Sequence, residues 1–262
     1  MSFPRRSAAR GTLSEETMFP QLYTGASGMI AAEKNLEVVT HNLANAKTPA
    51  YTPERPLFSS YLDQRLADVA PAGARPAARS VALAGNWRPD RPGPMRATGN
   101  PLDLALEGPG WFRVMTPGGE RLTRAGSLTR DAEGALATMH GMRLLDDRGK
   151  PITLPEGRLD IGPDGTLTVD DEVVARLGIA SAPMSTLARD GDTLWRPLGP
   201  VRSLERDSIR VVQGFIEDSA VQPTTELVSM VAAQRMFEMQ QRVVQSTANT
   251  VARKALELAG VK

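Results

Sequence analysis

Two narrow apolar stripes, one near each end of the 262-residue chain, constrain this sequence more than anything between them. Near the N-terminus Leu22, Met29, Leu36 and Leu43 recur every seven residues, and Gly25, Ala32, Val39 and Ala46 follow each of them by three. Near the C-terminus Met230, Phe237, Val244, Val251 and Leu258 keep the same spacing, with Leu227, Gln234, Gln241, Ala248 and Ala255 as companions. A 3-then-4 repeat is the seam of a coiled-coil-like helix. Pro20 suits a first turn and Pro49 a stop, so one helix is predicted over 18–50. From Leu22 to Ala46 it would run ~37 Å, at a rise of about 1.5 Å per residue. Pro223-Thr224-Thr225-Glu226 opens the other, with the acid favoured by the positive end of the helix dipole, and Gly260 lies near its end. A stripe this narrow needs a partner to be buried. The helices pack on each other inside one domain, or between subunits as well; Gly25, Ala26, Gly28, Ala31 and Ala32 would permit close backbone approach. Gln234 and Gln241 in a seam cost stability but fix register or partner.

Between the stripes the pattern changes. Residues 71–97 hold five prolines and five arginines, and 51–98 reads as an extended connector without regular structure. From Gly99 short alternating runs begin, with Leu102 to Leu106 and Trp111 to Val114 the clearest. Turn glycines follow at Gly119, Gly134, Gly149 and Gly165, spaced for two strands and a turn apiece. The expected fold is α+β: a disordered tail over 1–17, a β-rich domain of hairpins over 99–215, and a helical segment over 216–262, with the long N- and C-terminal helices paired as a coiled-coil-like stalk.

Composition removes most chemistry. The chain has no cysteine, so no disulfide, thiolate nucleophile or cysteine metal site, and its two histidines, His41 and His140, cannot make a His-rich metal site. His41 falls in the first helix off the stripe and His140 at a hairpin turn, which argues against a Ser/His/Asp site. Asp146, Asp147, Asp170 and Asp171 sit at turn signals, where Asp supports the backbone. Asp103 interrupts an apolar strand and is expected to be half-buried and hydrogen-bonded. A net charge of +1 and an arginine-rich connector with only Trp87 as its aromatic give no case for nucleic acid. No apolar run is long enough for a transmembrane helix, and neither terminal helix pairs a basic face with large aromatics, so no membrane insertion is expected. Arg5-Arg6 is not followed by an apolar core, so no cleaved signal is expected either. No cofactor and no metal are expected.

Three stretches, in order, resemble the flagellar rod and hook family of bacterial axial proteins. Asn42-Leu43-Ala44-Asn45-Ala46-Lys47-Thr48-Pro49-Ala50-Tyr51, with Arg55 and Phe58 beyond, is similar to that family's N-terminal signature. Ala50 stands where the family usually has Gly, which leaves open whether this turn uses a positive φ. Pro101 to Gly108 with Gly110-Trp111-Phe112 is similar to its PLDxAIxGxGFF segment, and Thr123 to Leu128 to its TRxGxF run, with Leu128 for the aromatic. Gly214 to Val221, then Glu226-Leu227-Val228 and Gln234 to Met239, resembles the C-terminal motifs, with Ala220 for Asn and Phe237 for Tyr. Gly110-Trp111 and the run Phe237 to Gln240 look most like the family's proximal-rod subunit, with a distal-rod or other axial subunit as the alternative.

The resemblance implies a structural subunit, not an enzyme, in the basal-body rod that carries torque to the hook. It implies rod and hook subunits, self or homologous, as partners, and export through the flagellar type III apparatus without a cleaved signal. The stripe residues Leu22, Met29, Leu36, Leu43, Leu227, Met230, Gln234, Phe237, Gln241, Val244, Val251 and Leu258, with Asn42 and Asn45 of the signature, then become the expected assembly interface. Readings of another class are a secreted cell-wall hydrolase, which needs a carboxylate pair, and a β-rich binding module on coiled-coil stalks, which would normally carry a secretion signal.

Overall fold

A computed structural model describes residues 18–62, 79–89, 91–203, 209–258 and 260. The tail expected over 1–17 lies outside them. Among the described residues two α-helices, α1 (Met18–Ala44) and α2 (Pro223–Leu258), flank one 3-10 turn (Met184–Thr186) and a series of strands. These are β1 (Arg55–Leu62), β2 (Arg79–Trp87), β3 (Met95–Ala97), β4 (Leu104–Glu107), β5 (Trp111–Thr116), β6 (Gly119–Thr123), β7 (Leu128–Arg130), β8 (Leu136–Thr138) and β9 (Arg143–Leu144). Then come β10 (Leu159–Ile161), β11 (Thr166–Val169), β12 (Glu172–Arg176), β13 (Ile179–Ser181), β14 (Leu187–Arg189), β15 (Leu194–Pro197), β16 (Arg202–Ser203), β17 (Arg210–Gln213) and β18 (Phe215–Glu217).

The chain divides into two compact units. One takes in Thr40–Glu54 and Arg88–Leu227. It is built round a nine-stranded antiparallel sheet with the path β14-β15-β6-β5-β9-β8-β7, to which β13 attaches at β5 and β16 at β13. A three-stranded sheet (β10-β11-β12) and two strand pairs (β17 with β4, β18 with β3) complete it. The pairs are long-range: β17 brings residues 210–213 onto 104–107, and β18 brings 215–217 onto 95–97. Leu104, Leu106, Phe112, Val114, Leu136, Leu144, Leu167 and Val211 form one continuous core. Each such burial is worth about 1.5–3 kcal/mol. A smaller cluster gathers Leu122, Ala180 and Leu187 round Trp111 and Trp195. Gly126 is needed where it stands, because a Cβ there would overlap the Leu104 carbonyl at the start of β4.

The other unit takes in the described parts of Met1–Val39, Arg55–Trp87 and Val228–Lys262. Its strands are the two-stranded ribbon β1-β2, paired from Arg55↔Trp87 to Leu62↔Arg79 with an irregularity at Leu57/Phe58.

The expected fold is corrected on two points. The terminal helices are not paired as a coiled-coil-like stalk: strand pairing dominates the molecule, and no sustained run of contact joins α1 to α2 among the described residues. An a/d seam needs large apolar knobs at both positions. Here α1 offers Gly25 and Ala32, and the companions Leu227, Gln234, Gln241 and Ala248 on α2 are exposed. The connector expected over 51–98 contains β1, β2 and β3. Its prolines do not prevent this: Pro56 falls in a two-stranded ribbon, where strand edges tolerate proline. The first helix also stops at Ala44, ahead of the turn that holds Pro49. Asn45 Nδ2 donates to the His41 carbonyl at 3.1 Å and Thr48 Oγ1 donates to Asn45 Oδ1 at 2.9 Å, so side chains end the helix.

Candidate assembly surface

The helix exit is held by one asparagine. Asn42 is fully buried, its Nδ2 donating to the Glu54 carbonyl at 2.9 Å while its Oδ1 accepts from the Glu54 N–H at 2.9 Å and from Tyr51 Oη at 3.1 Å. It thereby pairs the last helical turn with the backbone twelve residues on, as a strand neighbour would. Asn45, 9% exposed, closes the turn between. Within that turn Ala50 has φ +56° and donates its N–H to the Glu217 carbonyl at 2.9 Å. The left-handed conformation is used although no glycine stands there.

Glu54 anchors the loop from its other side. Its carboxylate accepts from Arg88 Nη2 at 2.8 Å and from Arg189 Nη1 at 2.8 Å. Burial acts to raise its pKa, and the hydrogen bonds and charges of Arg189 and Arg88 outweigh it and hold the group below its ordinary value. Arg189 lies 4.5 Å over the Tyr51 ring, and burial drives the Tyr51 hydroxyl upward against that positive charge. A second buried pair stands behind it: Glu217 accepts from Arg124 Nε at 2.7 Å and from the Gly93 N–H at 3.0 Å. The same guanidinium donates to the carbonyls of Leu106, Gly108 and Gly110. Ala50 of the first signature stretch and Arg124 of the second thus both bind Glu217 of the third, at its carbonyl and its carboxylate respectively.

The stripe residues fall differently. On α1, Met29, Leu36 and Leu43 are half-buried, with Ala32 and Val39 buried beside them. On α2, Met230, Phe237 and Val244 are half-buried. Their true companions stand four positions earlier in each heptad, at Glu226, Ala233, Gln240 and Thr247, and not at Leu227, Gln234 and Gln241. The helices approach each other at Gly25, where a Cβ would stand 2.9 Å from Val244 Cγ2, and at Gly28, 3.1 Å from the Gln240 amide carbon. The side chains of Leu22, Val251 and Leu258 lie outside the described residues. Asn42 and Asn45 belong to the chain's interior. Two features went unread in the sequence. One is the Glu54–Arg88–Arg189 cluster, whose members are too far apart in sequence to form a motif. The other is a second apolar face on α2, with Val228 at 71%, Met239 at 53% and Val243 at 54% exposure. Its signal is a helical-period row, Val228, Ala232, Met236, Met239 and Val243, turned roughly 110–140° round the helix from the first. Asp103, expected as a half-buried acid, is buried, with its backbone carbonyl accepting from the Gly214 N–H.

A strand-rich unit with a closed core, and a terminal helix that carries one half-buried and one exposed apolar row, is the make-up of a subunit built to be packed among others. The chain belongs to the flagellar basal-body rod protein family, whose members are structural subunits of the basal body. Family profiles match over three stretches: "Flagella basal body rod protein" over residues 22–52, "Flagellar hook protein FlgE/F/G D1 domain" over 105–169, and "Flagellar basal body rod FlgEFG protein C-terminal" over 212–258. The chain is 34% identical to the flagellar basal-body rod protein FlgF of Caulobacter vibrioides, over 91% of this chain and 97% of that one. It is 34% identical to FlgF of Escherichia coli (strain K12), over 88% and 95%. FlgG of Bacillus subtilis (strain 168) is 28% identical over 87% and 94%.

Proposed function

We propose that this chain is a proximal-rod subunit of the flagellar basal body, joined to other rod and hook subunits in the periplasm-spanning shaft that transmits torque to the hook. The observation that carries this reading is the pair of distinct apolar rows on α2, one half-buried and one exposed, because a subunit in an open helical polymer must present two different surfaces to its neighbours. The 34% identity to the FlgF proteins of Caulobacter vibrioides and Escherichia coli, against 27–30% to FlgG relatives, supports the proximal position together with the Gly110-Trp111 and Phe237 to Gln240 runs. In this role the chain acts as a structural subunit that needs no cofactor, nucleic acid or membrane insertion, and it reaches the rod through the flagellar type III export apparatus.

The half-buried row Met29, Leu36, Met230, Phe237 and Val244 serves as assembly surface in the rod. Phe237→Asp or Val244→Asp is expected to abolish incorporation while the strand-rich unit stays folded, since an unpaired charge in a packed apolar contact is strongly penalised. Mass spectrometry of purified hook–basal bodies checks both points. The native chain should be present at the low copy of a rod component and the two variants absent. Its absence from basal bodies that hold the other rod proteins, or normal motility with either aspartate, would overturn the reading.

A further inference from the structure

His41 stands in the last turn of α1, and its two ring nitrogens face different partners. Nδ1 lies 3.1 Å from Tyr51 Oη, and Nε2 lies 3.3 Å from Asp192 Oδ1 in the turn between β14 and β15. The protons along this row are assigned from its inner end. The Glu54 N–H can only donate and the Glu54 carbonyl can only accept, which fixes the Asn42 amide with Oδ1 toward the first and Nδ2 toward the second. Asn42 Oδ1 then takes the single hydroxyl proton of Tyr51. Turned to His41 instead, that proton would leave two oxygens face to face at 3.1 Å where Asn42 and Tyr51 are both buried, and such an unmade bond is costly. Tyr51 Oη is therefore an acceptor toward the ring, and Nδ1 holds a proton. A neutral imidazole has only one. With Nδ1 occupied, a neutral ring would aim the Nε2 lone pair at the Asp192 carboxylate. The ring that donates to both partners is the imidazolium.

We propose that His41 is a pH-dependent latch between the exit of α1 and the β14–β15 turn: a ring carrying both protons closes it, and loss of the Nε2 proton opens it. Among the described residues, the groups facing the ring are Asp192, which attracts its charge, and Tyr51, whose hydroxyl burial pushes up and keeps neutral. Arg189 on β14 repels the charge, but its guanidinium and that of Arg88 are paired with Glu54 at 2.8 Å. Arg189 also donates to the Gly191 and Asp192 carbonyls at 2.9 Å each, and so shapes the turn that carries Asp192. The outer bond is the one that yields, because the Asp192 side chain is 58% exposed and can turn to water, whereas Tyr51 and Asn42 are enclosed. Opening leaves the Asn42–Glu54 bonds and the Glu54–Arg189 pair in place, so the exit loop loosens without unfolding. All these residues lie in the strand-rich unit, and the latch stands apart from the rod reading.

The test is a pair of measurements on the full-length chain between pH ~5.5 and pH ~9, a range that spans ordinary imidazole titration near ~6.5. Glu54, held below its ordinary 4.5, stays ionised throughout. The first is the nitrogen-15 spectrum of the ring. His140 is exposed and is the only other histidine, so His140→Gln leaves His41 alone in the spectrum. Free neutral histidine favours the Nε2–H tautomer; the neutral ring of His41 is expected to keep its proton on Nδ1. The second is hydrogen exchange of the Asn45, Thr48 and Tyr51 amides, corrected for the intrinsic rate at each pH. Their protection is expected to fall several-fold from the acid to the alkaline end in the native chain. It should stay flat in Asp192→Asn, whose amide can face either form of the ring. A neutral ring protonated on Nε2 would mean that Tyr51 turns to Nδ1 and that the pair with Asp192 survives without charge, which overturns the latch. Protection with the same pH dependence in the native chain and in Asp192→Asn would overturn it as well.

Discussion

Ala50 shows what one side chain costs at a fixed backbone geometry. A left-handed conformation puts Cβ against the following carbonyl and costs about 1–2 kcal/mol, and Ala50 adopts it at φ +56° while buried at 5% exposure. The surrounding bonds hold it there: its N–H binds the Glu217 carbonyl, and the Tyr51 carbonyl accepts from Ala220. Ala50→Gly releases the strain but gives the unfolded chain more freedom, about 0.4–1 kcal/mol in the other direction. The variant is expected to be more stable by about 0.8 kcal/mol, the difference between the midpoints of those two ranges, read as a higher urea midpoint at unchanged slope. A lower midpoint would mean that this turn relaxes in solution. Glu54 gives the opposite case, a charge that the fold requires. Its folded pKa lies below the ordinary 4.5, so its stabilisation is present above that value and is lost as pH falls through the folded value. Glu54→Gln leaves Arg88 and Arg189 without their carboxylate and is expected to cost about 3–5 kcal/mol near neutrality. Stability of the native chain should fall in acid more steeply than that of the variant, which has lost this titrating group. Parallel acid limbs in the two unfolding series would remove Glu54 from the account.

At the scale of elements, what was legible depended on how far each interaction reaches. The helices could be read because a seven-residue repeat is local, and the row Met230, Phe237, Val244 does face inward. Which neighbouring row joins it was not legible: Gln234 and Gln240 look alike in composition, and only burial shows that Gln240 turns inward. The ribbon β1-β2 was missed because its pairing spans residues that a proline- and arginine-rich segment disguises, and pairing, unlike periodicity, leaves no mark in a single strand. The same limit hid the partners of β4. Leu102 to Leu106 reads as an alternating run, yet Leu104, Ala105 and Leu106 are all buried where β17 pairs with them, and Gly126 comes against the Leu104 backbone. The signature TRAG is informative here in hindsight, since a glycine two residues after the arginine that binds Glu217 is the only residue that fits below the Leu104 carbonyl. Gly126→Ala is expected to destabilise the strand-rich unit by several kcal/mol, because the clash is with backbone that cannot rotate away. Thermal melting followed by the buried Trp111 and Trp195 measures it, and an unchanged melt would show that β4 can shift.

For the whole molecule, the uneven distribution of burial sets the order in which its parts acquire structure. The core round Leu104, Phe112 and Leu136 is closed, with side chains at 0% exposure, and is held by long-range strand pairs. From Val228 onward α2 has one described residue, Ala233, that is buried, and most of its face is open. A helix draws most of its stability from tertiary packing of its apolar face. The free chain should therefore hold α2 weakly while its strand-rich unit is already folded, and packing among neighbours supplies the rest. That sequence of events suits a polymer subunit, since a surface that becomes fully ordered only against its neighbours does not nucleate filaments elsewhere. Hydrogen exchange reads it directly. In the monomer, amides of Val228 to Leu258 are expected to exchange orders of magnitude faster than those of Leu104 to Leu106, and in purified basal bodies the two sets should converge. Full protection of α2 in the monomer would mean that the helix is already stable alone, and that assembly joins preformed surfaces without ordering them.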